Sequence, residues 1–233
     1  MRRAAIVLGA VALLGAVALA VFLPRPPTDT HRALPALEPP LPEPLRVAVV
    51  GTSLTERYVW PAAATDALET CIGGPVALTV LARGGASSRW GAGQAEALRA
   101  AAPHVALIEF TVNDADLRRR VSLAEAEANH RALVTALRAD GASPRIVLVT
   151  LNRARGLRAA LRPRIAAHEA QYDALARKLD LGRLSVGPDW RAALAGGAAD
   201  RLLPDGIHPA PEAVAQVVTP RVSAELRRLA GHG

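Results

Sequence analysis

Aromatic side chains are scarce: three Trp, two Tyr and two Phe among 233 residues. Packing must therefore rest on aliphatic side chains and alanine. Apolar residues still make up 51% of the chain, enough for a sizeable core. Cysteine occurs once, at Cys71, which excludes an intramolecular disulfide. Cys71 lies in an apolar stretch and reads as a small core residue, with no activating base near it in sequence. No Cys/His cluster has zinc spacing, so no metal is expected. Lysine is nearly absent, so the net charge of +7 rests on arginine. The arginines are scattered rather than gathered with aromatics. That argues against nucleic acid as a partner and for a solvated basic surface near an anionic membrane. No internal repeat is present.

One long uncharged apolar run exists, Ala4 to Leu23, behind Arg2 and Arg3. It is long enough to span a bilayer, and the leading arginines favour an orientation with the rest of the chain outside the cytoplasm. Residues 1–23 thus read as a transmembrane anchor or a signal peptide. The length favours an anchor, while Ala18-Leu19-Ala20 resembles a cleavage site. Either way the following domain is expected to be exported, membrane-anchored or, after cleavage, secreted. Residues 24–44 carry eight prolines and read as an extended, semi-stiff spacer without helix or sheet. The folded domain is then expected over 45–233.

Within it, short apolar runs alternate with helical patterns. Strands are expected at Arg46–Val50, Val76–Leu81, Val105–Phe110, Arg145–Leu151 and, more weakly, Leu184–Val186. A capping box at Ser122 and Glu125 opens a helix to about Ala139, with Gly141 as its stop. Pro163–Leu181 and Pro211–Leu229 are also helical, the latter kinked or broken at Pro220. This alternation implies βαβ units and a mainly parallel sheet covered on both faces, an α/β fold. Functional residues should then follow the strand ends.

They do. Gly51-Thr52-Ser53-Leu54-Thr55 follows the first strand, Arg83-Gly84-Gly85-Ala86-Ser87-Ser88 the second, and Thr111-Val112-Asn113-Asp114 the third. Asp205-Gly206-Ile207-His208-Pro209 precedes the last helix. A serine hydroxyl needs a base to become a nucleophile, and His208 suits that task. Asp205, three residues earlier, can hold His208 Nδ1 and leave Nε2 facing Ser53. Backbone N–H groups of Ser53 and Gly85, with the Asn113 side chain, are candidate oxyanion donors. Asp114 reads as a brace. Trp60 and Trp90 are candidates for an acyl or sugar pocket, with core packing the competing role for each. His31, His104, His130, His168 and His232 match no motif.

These four blocks resemble the SGNH (GDSL-type) esterase/lipase family over Arg46 to about Leu229. Gly51-Thr52-Ser53-Leu54 matches its Gly-Asp-Ser-Leu block, Gly85 its oxyanion glycine, Asn113-Asp114 the end of Gly-x-Asn-Asp, and Asp205-x-x-His208 its Asp-x-x-His. Gly85 is preferred to Gly84 because Gly85-Ala86-Ser87 fits the family's Gly-x-Thr/Ser. The resemblance implies a flavodoxin-like three-layer sandwich with a five-stranded, mainly parallel sheet and no cofactor. Thr52 stands where the family has Asp, and Thr111 where it has Gly, which leaves the acyl group open. An α/β-hydrolase is disfavoured, since Thr55 stands where the second Gly of a Gly-x-Ser-x-Gly elbow belongs. The expected activity is hydrolysis of carboxylic esters through an acyl-enzyme. Its expected substrate is a small acyl ester or an acylated glycan or lipid, with acetylated envelope or exopolysaccharide sugars foremost. A lysophospholipase or thioesterase, an O-acetyltransferase on the same site, and a non-catalytic glycan-binding module are the competing readings.

Overall fold

In the computed structural model, residues 29–232 are described; the apolar run read as anchor or signal lies outside them. Five strands form one parallel sheet: β1 (Leu45–Gly51), β2 (Val76–Ala82), β3 (Val105–Ile108), β4 (Arg145–Thr150) and β5 (Gly182–Ser185). Their order is β2-β1-β3-β4-β5. All five expected strands exist, each shifted by a residue or two at its ends.

The sheet is sandwiched because its strands are apolar on both sides. Val47 and Val49 of β1 join one core with Leu107, Val147 and Val149. Ala48 and Val50, one step along the pleat, join the opposite core with Ile108, Ile146 and Leu148. The first face is covered by α1 (Trp60–Ile72), α4 (Gly187–Ala195) and α5 (Thr219–Leu229); the second by α2 (Leu123–Leu137) and α3 (Ile165–Lys178). In α2 the spacing Ala126, His130, Leu133, Leu137 makes the buried stripe. Only half of its expected capping box forms. Ser122 accepts the Glu125 N–H, but the Glu125 carboxylate turns outward to Arg89, a charged partner that outcompetes a backbone amide. Before α5 the Thr219 N–H reaches back to the Val214 carbonyl, five residues earlier. This wide turn accommodates Pro220, which has no N–H to donate.

Two expectations need correction. Cys71 is exposed. The buried stripe of α1 runs through Trp60, Ala64 and Leu68, and Cys71 lies beside it in the last turn. The spacer also does not stand clear of the domain. From Asp29 it lies along β5 and α5. Arg32 and Arg183 exchange both backbone hydrogen bonds, and the Leu37 N–H donates to the Leu229 carbonyl. Leu34 is buried in the first core. Apart from the single antiparallel bridge of Arg32 with Arg183, the segment forms no helix or strand, yet it docks: carbonyls of Leu34, Pro35 and Ala36 accept from Arg228 and Arg145. The folded unit therefore includes Asp29 onward.

Candidate active site

In an open parallel sheet the chain leaves in opposite directions from a switch point, and a crevice opens there beyond the strand ends. The order β2-β1-β3 puts that point between β1 and β3. Ser53 follows β1 by two residues and Asn113 follows β3, so topology alone brings both to the same end of the sheet.

Ser53 lies at the start of a helical turn, Ser53–Glu56. Thr52, the departure from Asp, caps that turn: its Oγ1 accepts the Leu54 N–H and donates to Glu109. Glu109 Oε2 also accepts the Thr52 N–H at 3.1 Å and the Thr55 hydroxyl at 3.4 Å. One buried carboxyl oxygen thus gathers the Ser53 turn from below. Burial pushes the Glu109 pKa up to about 8, against the lowering effect of these hydrogen bonds.

His208 Nε2 is 2.9 Å from Ser53 Oγ, and His208 Nδ1 is 2.7 Å from Asp205 Oδ2. With Nδ1–H donating to the carboxylate, Nε2 is left to accept the serine proton. Asp205 Oδ1 also accepts the Ile207 and His208 N–H groups, so one carboxylate shapes the loop and aims the ring. Burial raises its pKa, but the hydrogen bonds from His208 and Ile207 outweigh that and hold it at about 2. Gly206, with φ +78°, passes the Arg155 carbonyl so closely that a side chain would clash. The loop is tied down further by Asn152, whose amide donates to the Ile207 carbonyl, and by Tyr58, whose hydroxyl donates to the Pro209 carbonyl. Burial raises the Tyr58 pKa to about 12, so its proton stays in place.

The segment after β2 turns at Arg83–Ala86, where the Ala86 N–H donates to the Arg83 carbonyl and Gly85 takes φ +72°. A positive φ at the third position of such a turn demands glycine. The Arg119 guanidinium packs where a Cβ on Gly85 would be. Asn113 Nδ2 donates to the Ala86 carbonyl, joining this turn to the β3 end. Asp114 accepts the Ser88 N–H at 2.7 Å and so braces the same segment. Burial raises its pKa to about 7. Behind it, His130 bonds the Tyr172 hydroxyl, which accepts the Phe110 N–H.

The expected site residues thus fall into two linked groups beyond the strand ends. Ser53, His208 and Asp205 are in direct hydrogen-bond line, and Gly85 and Asn113 meet through Ala86. Trp60 is core, its indole N–H on the Leu54 carbonyl. Trp90 is half-buried and edge-on to Phe110. Sequence reasoning passed over Glu109, Tyr58, Asn152 and Arg119. Glu109 had a signal, as the one charge at the end of the apolar run Val105–Phe110. The other three are distant in sequence from the groups they touch. Among the described residues no group of acids, His and Cys could hold a metal.

An open parallel sheet bearing a Ser–His–Asp line beyond its strand ends is the arrangement of a serine hydrolase. The chain belongs to the GDSL-like lipase/acylhydrolase family, whose model matches residues 49–215, and it is a carboxylic-ester hydrolase. Among solved structures it is similar to Axe2, an acetylxylan esterase from Geobacillus stearothermophilus, at TM-score 0.66 and 17% identity over 79% of this chain and 94% of that one. Two catalytic mutants of that enzyme replace an aspartate and a serine by alanine. LAE5, an alpha/beta hydrolase enzyme from the metagenome of Lake Arreo, Spain, matches at TM-score 0.68 and 19% identity over 80% and 97%. TesA matches at 0.61 and 24% over 79% and 99%. No curated protein matches the chain in sequence.

Proposed function

We propose that this enzyme removes small acyl groups, acetyl foremost, from sugars, with Ser53 as nucleophile, His208 as general base and Asp205 as its orienting acid. Ser53 Oγ attacks the ester carbonyl as its proton passes to His208 Nε2. The oxyanion is received by the Ser53 and Gly85 N–H groups and Asn113 Nδ2. His208 then protonates the leaving alcohol. In the second half it takes a proton from water as the water oxygen attacks the acyl-enzyme, then returns that proton to Ser53 Oγ as the acyl–oxygen bond breaks and the acid leaves. The observation that carries this reading is the unbroken line Ser53 Oγ–His208 Nε2, His208 Nδ1–Asp205. The acetylxylan esterase among the similar structures supports the choice of an acetylated sugar.

The test is turnover of p-nitrophenyl acetate. Ser53→Ala and His208→Ala should each lose at least about 10³-fold in kcat, and a fluorophosphonate probe should label the wild type but not Ser53→Ala. Full activity in either variant would sink the assignment. The apolar run at 4–23 further supports a membrane-anchored enzyme with its domain outside the cytoplasm. Release of the full chain from membranes by carbonate would refute the anchor.

A further inference from the structure

Beside the Gly85 turn lies a cleft of about 390 Å³ lined by Arg83, Arg89, Arg118, Arg119, Trp90 and the turn itself. No aliphatic side chain longer than alanine borders it, and no carboxylate does. Arg89 is engaged by Glu125 and Arg118 by Asp116, and Asp116 also serves Arg162. The guanidinium groups of Arg83 and Arg119 meet no carboxylate among the described residues. Arg83 instead rides over the Trp90 ring, 5.2 Å from its centroid. That contact fixes the guanidinium without neutralising it. Arg119 is pressed against Gly85. Glu56 stands next to Gly84, and against it the four arginines of the lining keep the balance of charge positive.

Resting on the reading above, we infer that this cleft is a subsite for a carboxylate on the alcohol side of the ester, so that the preferred substrate is an acylated acidic sugar. Three physical points converge. Gly85, the proposed oxyanion donor, is itself a wall of the cleft, so an ester carbonyl bound there has Arg119 and Arg83 as neighbours. An acetyl group carries no ionisable atom, so on the proposed substrate a carboxylate can belong only to the alcohol. Guanidinium forks match carboxylate geometry, while the walls offer nothing to a lipid tail.

The experiment follows acetate release from a pair of esters with the same acetyl group and sugar, O-acetyl galacturonate and its methyl ester, in which a neutral ester replaces the carboxylate. The expected ratio of kcat/KM, acid over methyl ester, is about tenfold at low salt, mainly through KM, and falls as salt screens the arginines. Arg119→Ala and Arg83→Ala should each cut that ratio several-fold, and the double variant should bring it near one. Arg177→Ala, in the last turn of α3 at the far end of the sheet, should keep it. Because the ratio is taken within each variant, a general loss of activity does not mimic the effect. A ratio near one in the wild type, or a ratio unchanged in the double variant, overturns the subsite while p-nitrophenyl acetate turnover leaves the esterase standing. A wild type that neither turns over p-nitrophenyl acetate nor reacts with fluorophosphonate fails at the earlier step. Competitive inhibition by phosphatidylglycerol vesicles but not by free galacturonate would assign the cleft to a lipid headgroup and overturn the sugar.

Discussion

Glu109 is the residue on which the Ser53 turn rests. Three donors from Thr52 and Thr55 converge on one of its oxygens. A carboxyl raised to about 8 binds its proton more tightly folded than unfolded. Its contribution to stability is full below about pH 4 and is lost as the pH rises through about 8. Asp114, raised to about 7, acts in the same direction. Glu109→Gln keeps an acceptor for the three donors but cannot ionise. Chemical denaturation at pH 6 and pH 8.5 should therefore show a fall in wild-type stability on the order of 2–4 kcal/mol, and a smaller fall in Glu109→Gln. Equal falls in the two proteins would dismiss the buried carboxyl as the cause. Glu109→Leu should lose activity more than Glu109→Gln does, since the Thr52 N–H is then buried without a partner.

At the scale of elements, the segment from Asp29 closes one edge of the sheet. β5 would otherwise present open backbone groups, a template for pairing between molecules. Arg183 is fully buried beneath it, held by Asp173 and stacked near Tyr172, and Thr30 bonds the other Asp173 oxygen. Removing residues 1–37 should lower the melting temperature markedly and promote aggregation, compared with removing 1–28. Leu34→Ala in the longer chain should cost about 2–4 kcal/mol. Equal melting of the two truncated proteins in calorimetry and light scattering would show the strap to be idle. Nothing in the proline spacing between 24 and 44 foretells this docking. The contacts are made by backbone carbonyls and by partners more than a hundred residues away, such as Arg145 and Arg228.

Over the whole molecule, what could be read in advance is what local pattern determines. Apolar runs alternating with amphipathic stretches specify strands, helices and a parallel sheet. The sheet's geometry then draws Ser53, Gly85 and Asn113 to one end. Asp205 and His208 are readable because the turn that joins them is only three residues long. The groups that stiffen this end, Glu109, Tyr58 and Asn152, act across 55 to 151 positions. Such pairings depend on how layers settle against one another, which periodicity does not encode. Cys71 shows the same limit, since an apolar neighbourhood in sequence is not a buried one on a helix.

The strap along β5 also sets a direction. Asp29 sits by Ser185 and Arg191, where β5 ends, and the chain runs from there towards Arg145, where β4 begins. It therefore enters the domain at the end of the sheet that carries Ser53 and His208. Between Leu23 and Asp29 the chain can reach about 20 Å at full stretch. Whatever holds the chain ahead of Leu23 therefore keeps the Ser53 end of the sheet, rather than its opposite end, within that reach.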